Sequence, residues 1–275
     1  MDFTPLSTIT PIDGRYHSKT AALQPYFSEF GLIRYRVLIE VEYFIALMQT
    51  GIIQNVEVVS AETLRSWYLN FSSADAERIK TIERTTNHDV KAVEYFLKEK
   101  FEQHDWSFCS EFIHFGLTSQ DINNTAIPMS LKEGIEKEVF PLYDEVLAKL
   151  RSLASAWKDI PLLARTHGQP ASPTRLGKEI QVFAERLQIQ LNVAKRIPYA
   201  SKFGGATGNF NAHHVAYPSI NWVDFANHFL GSLGLARSQT TTQIEHYDSM
   251  AALFDAFKRM NTILLDLNRD LWTYI

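Results

Sequence analysis

Five stretches concentrate the side chains that could do chemistry. His167 lies between Thr166 and Gly168, with Gln169 two residues on, in a polar turn that flanking apolar-periodic segments place between two helices. A buried histidine at the mouth of a helical bundle is either an ordinary hydrogen-bonded core residue or a group with a chemical role, and spacing leaves both open. Asn87, His88 and Asp89 stand just before an apolar-periodic run with Val90, Val93, Phe96 and Leu97. Asn87 or Asp89 would serve as a helix N-cap. The same helix start, with free N–H groups and a positive dipole end, also suits an anionic ligand. His114, Thr118, Ser119, Gln120, Asp121, Asn123 and Asn124 crowd together beside Phe112 and Phe115. Each of them buried without a partner would cost roughly 1–3 kcal/mol, so they satisfy one another at a helix start or face a polar ligand. Capping needs only one or two of them, which favours the ligand. Arg15 and Tyr16 follow Asp13-Gly14. They are a turn with a surface Arg, or an anion grip in which the guanidinium fork is joined by a hydroxyl. Gln243 lies in the polar patch Thr240 to Glu245 at another helix start.

These stretches need elements to hold them. Residues 1–28 read as irregular, broken by Pro5, Pro11, Gly14 and Pro25. Leu32, Tyr35, Leu38, Val41, Ile45 and Met48 recur at helical spacing, which predicts an amphipathic helix from Gly31 to about Thr50. Leu64, Trp67, Tyr68 and Phe71 predict a second, weaker one. A long helix is expected over residues 131–158, with Val139, Leu142, Tyr143, Val146, Leu150, Leu153 and Trp157 on one stripe. Another is expected from Leu176 to Ile197, with Ile180, Phe183, Ala184, Leu187, Leu191 and Ala194 inward and Pro198 as its stop. Residues 203–218 form a glycine-rich connection without the Lys-Ser/Thr of a phosphate loop. Met250, Leu253, Phe257, Met260, Leu264, Leu267 and Leu271 alternate spacings of three and four, a coiled-coil-like seam. No strand-period segment of useful length stands out. The expected fold is therefore all-α: an N-terminal helical domain over residues 1–108, then a long-helix bundle domain over 109–275. No Gly, Pro or cationic turn stops the last helix, so the bundle is expected to continue past Ile275.

Composition excludes several classes. Lys plus Arg number 27 against 31 Asp plus Glu, a net charge of -4, with no basic cluster of the kind that binds nucleic acid. A single phosphorylated ligand stays possible, because one well-placed Arg suffices. Cys109 is the only cysteine, so no intrachain disulfide can form and a cytoplasmic location is expected. No apolar run is long enough for a membrane span, and Met1 to Leu6 lacks the pattern of a signal peptide. Without paired cysteines or HExxH, and with His213 and His214 adjacent rather than at ligand spacing, no metal site is expected.

Two motifs carry a family resemblance. Thr118-Ser119-Gln120-Asp121-Ile122-Asn123-Asn124 and Thr166-His167-Gly168-Gln169-Pro170-Ala171-Ser172 resemble the first two conserved regions of the fumarase/aspartase superfamily. Within it, residues 12–16, 80–91 and 110–114 resemble the bacterial-type adenylosuccinate lyase family. The resemblance runs from about residue 9 to the end of the chain. It implies an enzyme of purine nucleotide synthesis that eliminates fumarate from adenylosuccinate, leaving AMP, and from the succinylated aminoimidazole carboxamide ribotide. It further implies no cofactor, a homotetramer with shared sites, and a fumarase/aspartase-like bundle. By the same resemblance His167 is the general acid, and Thr118 and Ser119 hold the succinyl carboxylates. Arg15 and Tyr16 grip the phosphate; Asn87, His88, Asp89 and Gln243 bind substrate, with His88 an auxiliary acid or phosphate ligand. The family's third region, a Ser-Ser-x-Met-Pro-x-Lys-x-Asn loop carrying the base serine, is not found in these residues. Residues 1–275 alone are therefore expected to be inactive. Rivals are another member of the superfamily, such as argininosuccinate lyase or aspartase, and a non-catalytic helical scaffold. A phosphate grip at Arg15 and Tyr16 argues against an amino-acid substrate.

Overall fold

The computed structural model describes residues 8–275, so Pro5 and the Met1–Leu6 segment read above lie outside the described residues. Pro11 and Pro25 leave only short helical turns, α1 (His17–Thr20), a 3-10 turn at Ala21–Leu23 and α2 (Gln24–Phe27), before the first long helix. That helix, α3 (Glu29–Met48), begins where the Ser28 hydroxyl accepts a hydrogen bond from the Gly31 amide at 3.1 Å. It is not amphipathic in the expected sense. Tyr35, Val37, Ile39, Tyr43 and Leu47 are fully buried and lie all round the helix, because neighbours cover it on every side. Each such side chain stabilises by roughly 1.5–3 kcal/mol relative to exposure.

The neighbours are α4 (Ala61–Leu69), α5 (Ser73–Thr86), α6 (Asp89–Gln103) and α7 (Ser119–Gly134). Helix α5, which the apolar pattern did not indicate, starts with a capping box. The Ser72 hydroxyl accepts from the Asp75 amide, and the Asp75 carboxylate accepts from the Ser72 amide. Asn87 ends α5 in the left-handed region at φ 51°, and His88, not Asn87 or Asp89, is the N-cap of α6.

By contacts the chain forms two compact units. The first runs to Gly134 and takes up Tyr199–His246; the second comprises Ile135–Pro198 and Tyr247–Ile275. The boundary expected near residue 108 falls inside the first unit.

In the second unit a π-helical turn, Ile135–Val139, precedes α8 (Phe140–Ala156). The His167 region then departs from expectation. Instead of a simple turn between helices, β1 (Pro161–Thr166) and β2 (Gln169–Arg175) pair antiparallel, with Thr166 opposite Gln169 and an irregularity between Leu163 and Arg165. His167 and Gly168 form the two-residue tip, both at positive φ, 50° and 76°. Pro161, Pro170 and Pro173 hid the strands, since proline cannot donate to a ladder and is tolerated here because each strand has a free edge.

Helix α9 (Leu176–Ala194) follows and buries Ile180, Phe183, Ala184, Leu187, Leu191 and Ala194, the set that its periodicity indicates. It packs against α8 and against α12 (Asp248–Tyr274), which follows the returning segment of the first unit. That segment holds β3 (Ala200–Ser201), α10 (Asn211–Ala216), α11 (Trp222–Ser232) and β4 (Ala236–Arg237), with β3 and β4 parallel. In α12 the buried seam is Leu253, Ala256, Met260, Ile263 and Leu267, so Ala256 and Ile263 replace the expected Phe257 and Leu264. In α8, Phe140, Leu147, Leu150 and Ala154 are buried, whereas the expected Leu142 is 60% exposed. Phe140 and Tyr143 of α8 meet Phe257 of α12, while Leu142 and Val146 stay exposed.

Candidate functional site

The first unit contains four of the marked stretches and ties three of them, at residues 87–89, 114–124 and 240–245, onto a shared frame. At the α5–α6 junction, His88 Nδ1 accepts from the Lys91 amide at 3.1 Å, which puts the ring proton on Nε2. Asp89 Oδ1 accepts from the Val90 amide at 2.8 Å, and Asp89 Oδ2 accepts from Arg36 at 2.5 Å. Arg36 comes from the buried helix α3, and its Nε donates to Asn123 on α7 at 2.9 Å. One guanidinium therefore fixes the start of α6 against the first turns of α7. Asp89 is a scaffold for this junction rather than an open anion site.

Thr118 and Ser119 stand at the start of α7, whose first-turn N–H groups and dipole favour an anion. The Thr118 amide donates to Asp121 Oδ2 at 2.8 Å, and Thr118 Oγ1 accepts from Gln243 Nε2 at 3.4 Å. Gln243 thus reaches the turn from a segment 125 residues away. The glycine-rich connection lies between them. Gly204 and Gly205 donate backbone N–H to Asp121 Oδ1, and Gly208 is so close to Thr241 that a Cβ would lie 2.3 Å from its carbonyl oxygen.

Much of the crowded 114–124 stretch is satisfied internally. His114 Nδ1 donates to Glu40 Oε1 at 2.5 Å, and its Nε2 lies 3.7 Å from Glu94 Oε1, which is held in turn by Lys91 through Oε2. Burial would lower the pKa of His114, but the Glu40 charge and hydrogen bond, with Glu94 and Asp121 behind, raise it above the ordinary value. Arg36, Glu40, Glu94 and Lys202 were not marked in the sequence, because the first three sit in apolar helical runs and Lys202 stands just before the glycine-rich connection with no local signal. Only the rarity of fully buried charge could have pointed to them.

Arg15 and Tyr16 are exposed, with the guanidinium 5.5 Å over the Tyr16 ring. No hydrogen bond described ties them to residues 87–89 or 118–119. His167 is exposed rather than buried, at the tip of the β1–β2 hairpin in the second unit. Its backbone lies in the left-handed region, sparsely populated by non-glycine residues and found mostly at turns and functional sites. Among the described residues, no group of three or more His, Cys, Asp or Glu could hold a metal ion, and no helix is long and apolar enough to cross a membrane.

The pattern of a family described as lyases matches residues 14–275, and the chain belongs to that family. Among its relatives, the adenylosuccinate lyase of Dictyostelium discoideum is 55% identical over 98% of this chain and 60% of its own length. The adenylosuccinate lyases of Vibrio cholerae and Escherichia coli are 48% and 45% identical over the whole chain, each covered over 61% of its length. The chain thus spans about three fifths of the length of these relatives. A solved fumarate lyase from Mesorhizobium has the same fold at TM-score 0.73, with 22% identity over 91% of this chain and 56% of that one. The β-carboxy-cis,cis-muconate cycloisomerase of Acinetobacter calcoaceticus does so at TM-score 0.71, with 20% identity over 92% of this chain and 57% of that one.

Proposed function

We propose that this chain is part of an adenylosuccinate lyase, which eliminates fumarate from adenylosuccinate to leave AMP, and from the succinylated aminoimidazole carboxamide ribotide to leave the carboxamide. The observation that carries this reading is identity of 45–55% along essentially the whole chain to relatives that bear that name. The reaction is a β-elimination. A base takes the proton from the carbon beside a succinyl carboxylate, the C–N bond breaks, and the departing nitrogen needs a proton.

His167 supplies that proton, and the hairpin tip presents its imidazole without burial. Thr118 and Ser119 hold the succinyl carboxylates at the start of α7, where donors can stabilise charge that grows on the carboxylate. Gln243 supports that turn through the Thr118 hydroxyl. Arg15 and Tyr16 take the phosphate, and Asn87 and His88 line the nucleotide side, with Asp89 holding them through Arg36. The base is not among these assigned residues. No step calls for a metal or organic cofactor.

The second unit leaves Leu142, Val146, Ile189, Phe254 and Leu265 exposed on its helices, and we assign this face to self-association as a homotetramer with shared sites. A cytoplasmic location fits the lone cysteine. Release of fumarate from adenylosuccinate, by this chain extended to the length of its relatives, tests the reading. Turnover of argininosuccinate or aspartate instead would replace it with another lyase of the superfamily.

A further inference from the structure

Asp121 does more than an acidic residue in a first helical turn requires. As the third residue of α7, counted from Ser119, it accepts from the Thr118 amide, the ordinary reach of a capping box. A capping carboxylate normally stays in water. This one is fully buried, and its other oxygen, Oδ1, collects three donors from a segment more than eighty residues away: Lys202 Nζ at 2.7 Å, the Gly204 amide at 2.8 Å and the Gly205 amide at 3.1 Å. Lys202 is equally buried, and its ammonium also donates to the Gly205 carbonyl at 2.5 Å. A charge pair taken out of water is weak support for stability, since apolar replacements of the same volume are often neutral or better. What the pair does supply is a fixed distance between two backbone segments.

Those segments close a ring. From Thr118 the path runs through Asp121 to Gly204 and Gly205, along the glycine loop to Gly208, and across to Thr241. From there Gln243 returns to the Thr118 hydroxyl. Gly205 and Gly208 sit at φ 77° and 79°, which lets the loop make both close approaches. We propose that Asp121, paired with Lys202, is a positioning residue that locks the glycine loop to the Thr118–Ser119 turn and thereby sets that turn, and Gln243 with it, for a dicarboxylate. The inference rests on the reading of Thr118 and Ser119 as carboxylate holders.

The chemistry of the side chain makes this testable. A carboxylate has two acceptor oxygens, one for each segment, whereas the isosteric amide has only one. Asp121→Asn can keep the Thr118 amide or the glycine amides, but not both. Amide hydrogen exchange is measured first on the chain itself. The expected result is exchange at Thr118, or at Gly204 and Gly205, faster by about tenfold or more, while amides of α3 keep their wild-type rates. Unchanged exchange at all three glycine and threonine amides overturns the lock.

Inhibition of the extended enzyme is measured next, with fumarate and AMP as separate probes. The inhibition constant for fumarate is expected to rise more than tenfold and that for AMP less than threefold, because AMP carries no succinyl carboxylate. Equal weakening of both marks a merely structural role and overturns the proposal. Should Asp121→Asn not fold, the uncharged pair Asp121→Asn with Lys202→Met removes the buried unpaired ammonium and is measured in the same way. If the wild-type enzyme releases no fumarate from adenylosuccinate, the functional reading fails, while the exchange rates still decide whether the lock exists.

Discussion

Arg36 Nη2 donates to Asp89 Oδ2 at 2.5 Å, from a side chain only 8% exposed to one that is 42% exposed. With its second bond to Asn123, Arg36 joins α6 to α7 beneath two of the proposed substrate-binding stretches. Replacement by methionine keeps the stem and removes both bonds. Arg36→Met is expected to lower stability by about 1–3 kcal/mol through the orphaned Asn123 and the half-exposed Asp89. Urea midpoints of wild type and variant measure this, and an unchanged midpoint would show that the junction holds without it.

His114 makes stability depend on pH in a definite direction. Its folded pKa is raised by Glu40 and Glu94, so its contribution is fully present below the unfolded value of about 6.5 and fades as pH rises through the folded value. The stability gap between wild type and His114→Gln should therefore be widest in mild acid and narrow toward alkaline pH. A gap that widens as pH rises contradicts the assigned pairing.

His213 behaves in the opposite sense. It is fully buried among Phe115, Phe210 and Trp222, and burial pushes its pKa down to about 4. The Tyr43 hydroxyl donates to the Phe115 carbonyl at 2.7 Å, so at 3.0 Å it accepts from His213 Nε2–H. Nitrogen NMR should find a neutral ring with its proton on Nε2 down to about pH 5; an imidazolium signal at pH 6 would refute the depressed pKa, and a neutral ring protonated on Nδ1 would refute the tautomer. Because the folded pKa is depressed, this group stabilises above pH ~6.5, and that contribution falls away as acid approaches pH 4.

Gly116 packs against that same ring. A Cβ there would lie 2.6 Å from His213 Cε1, and the backbone is at φ 68°. Gly116→Ala combines a clash with left-handed strain and should cost about 1–3 kcal/mol or more, read as a lower thermal midpoint. An unaffected midpoint would mean that the ring can move aside.

How much of this was legible beforehand depended on the kind of signal. The buried face of α9 follows from periodicity residue for residue, because one side of the helix faces α8 and α12 and the other does not. Helix α5 buries only Ile79, so its apolar pattern is faint, although the Ser72–Asp75 capping box was there to be read. The β1–β2 hairpin was hidden by its prolines. Helix α3 looked amphipathic because Arg36 and Glu40 are polar, yet both are buried as partners of Asp89 and His114. Thr118 and Ser119 were marked by residue type, and Gln243 only by the family resemblance. The frame that holds them, Asp121 with Lys202 and two glycines, depends on residues distant in sequence and carries no local pattern.

The most direct test of the central claim concerns His167. In this chain extended to the length of its relatives, His167→Ala should slow fumarate release from adenylosuccinate by on the order of 10²–10⁴, with AMP affinity kept within a few fold. Fumarate release at the wild-type rate by a folded His167→Ala enzyme would contradict the role of the hairpin tip as the acid.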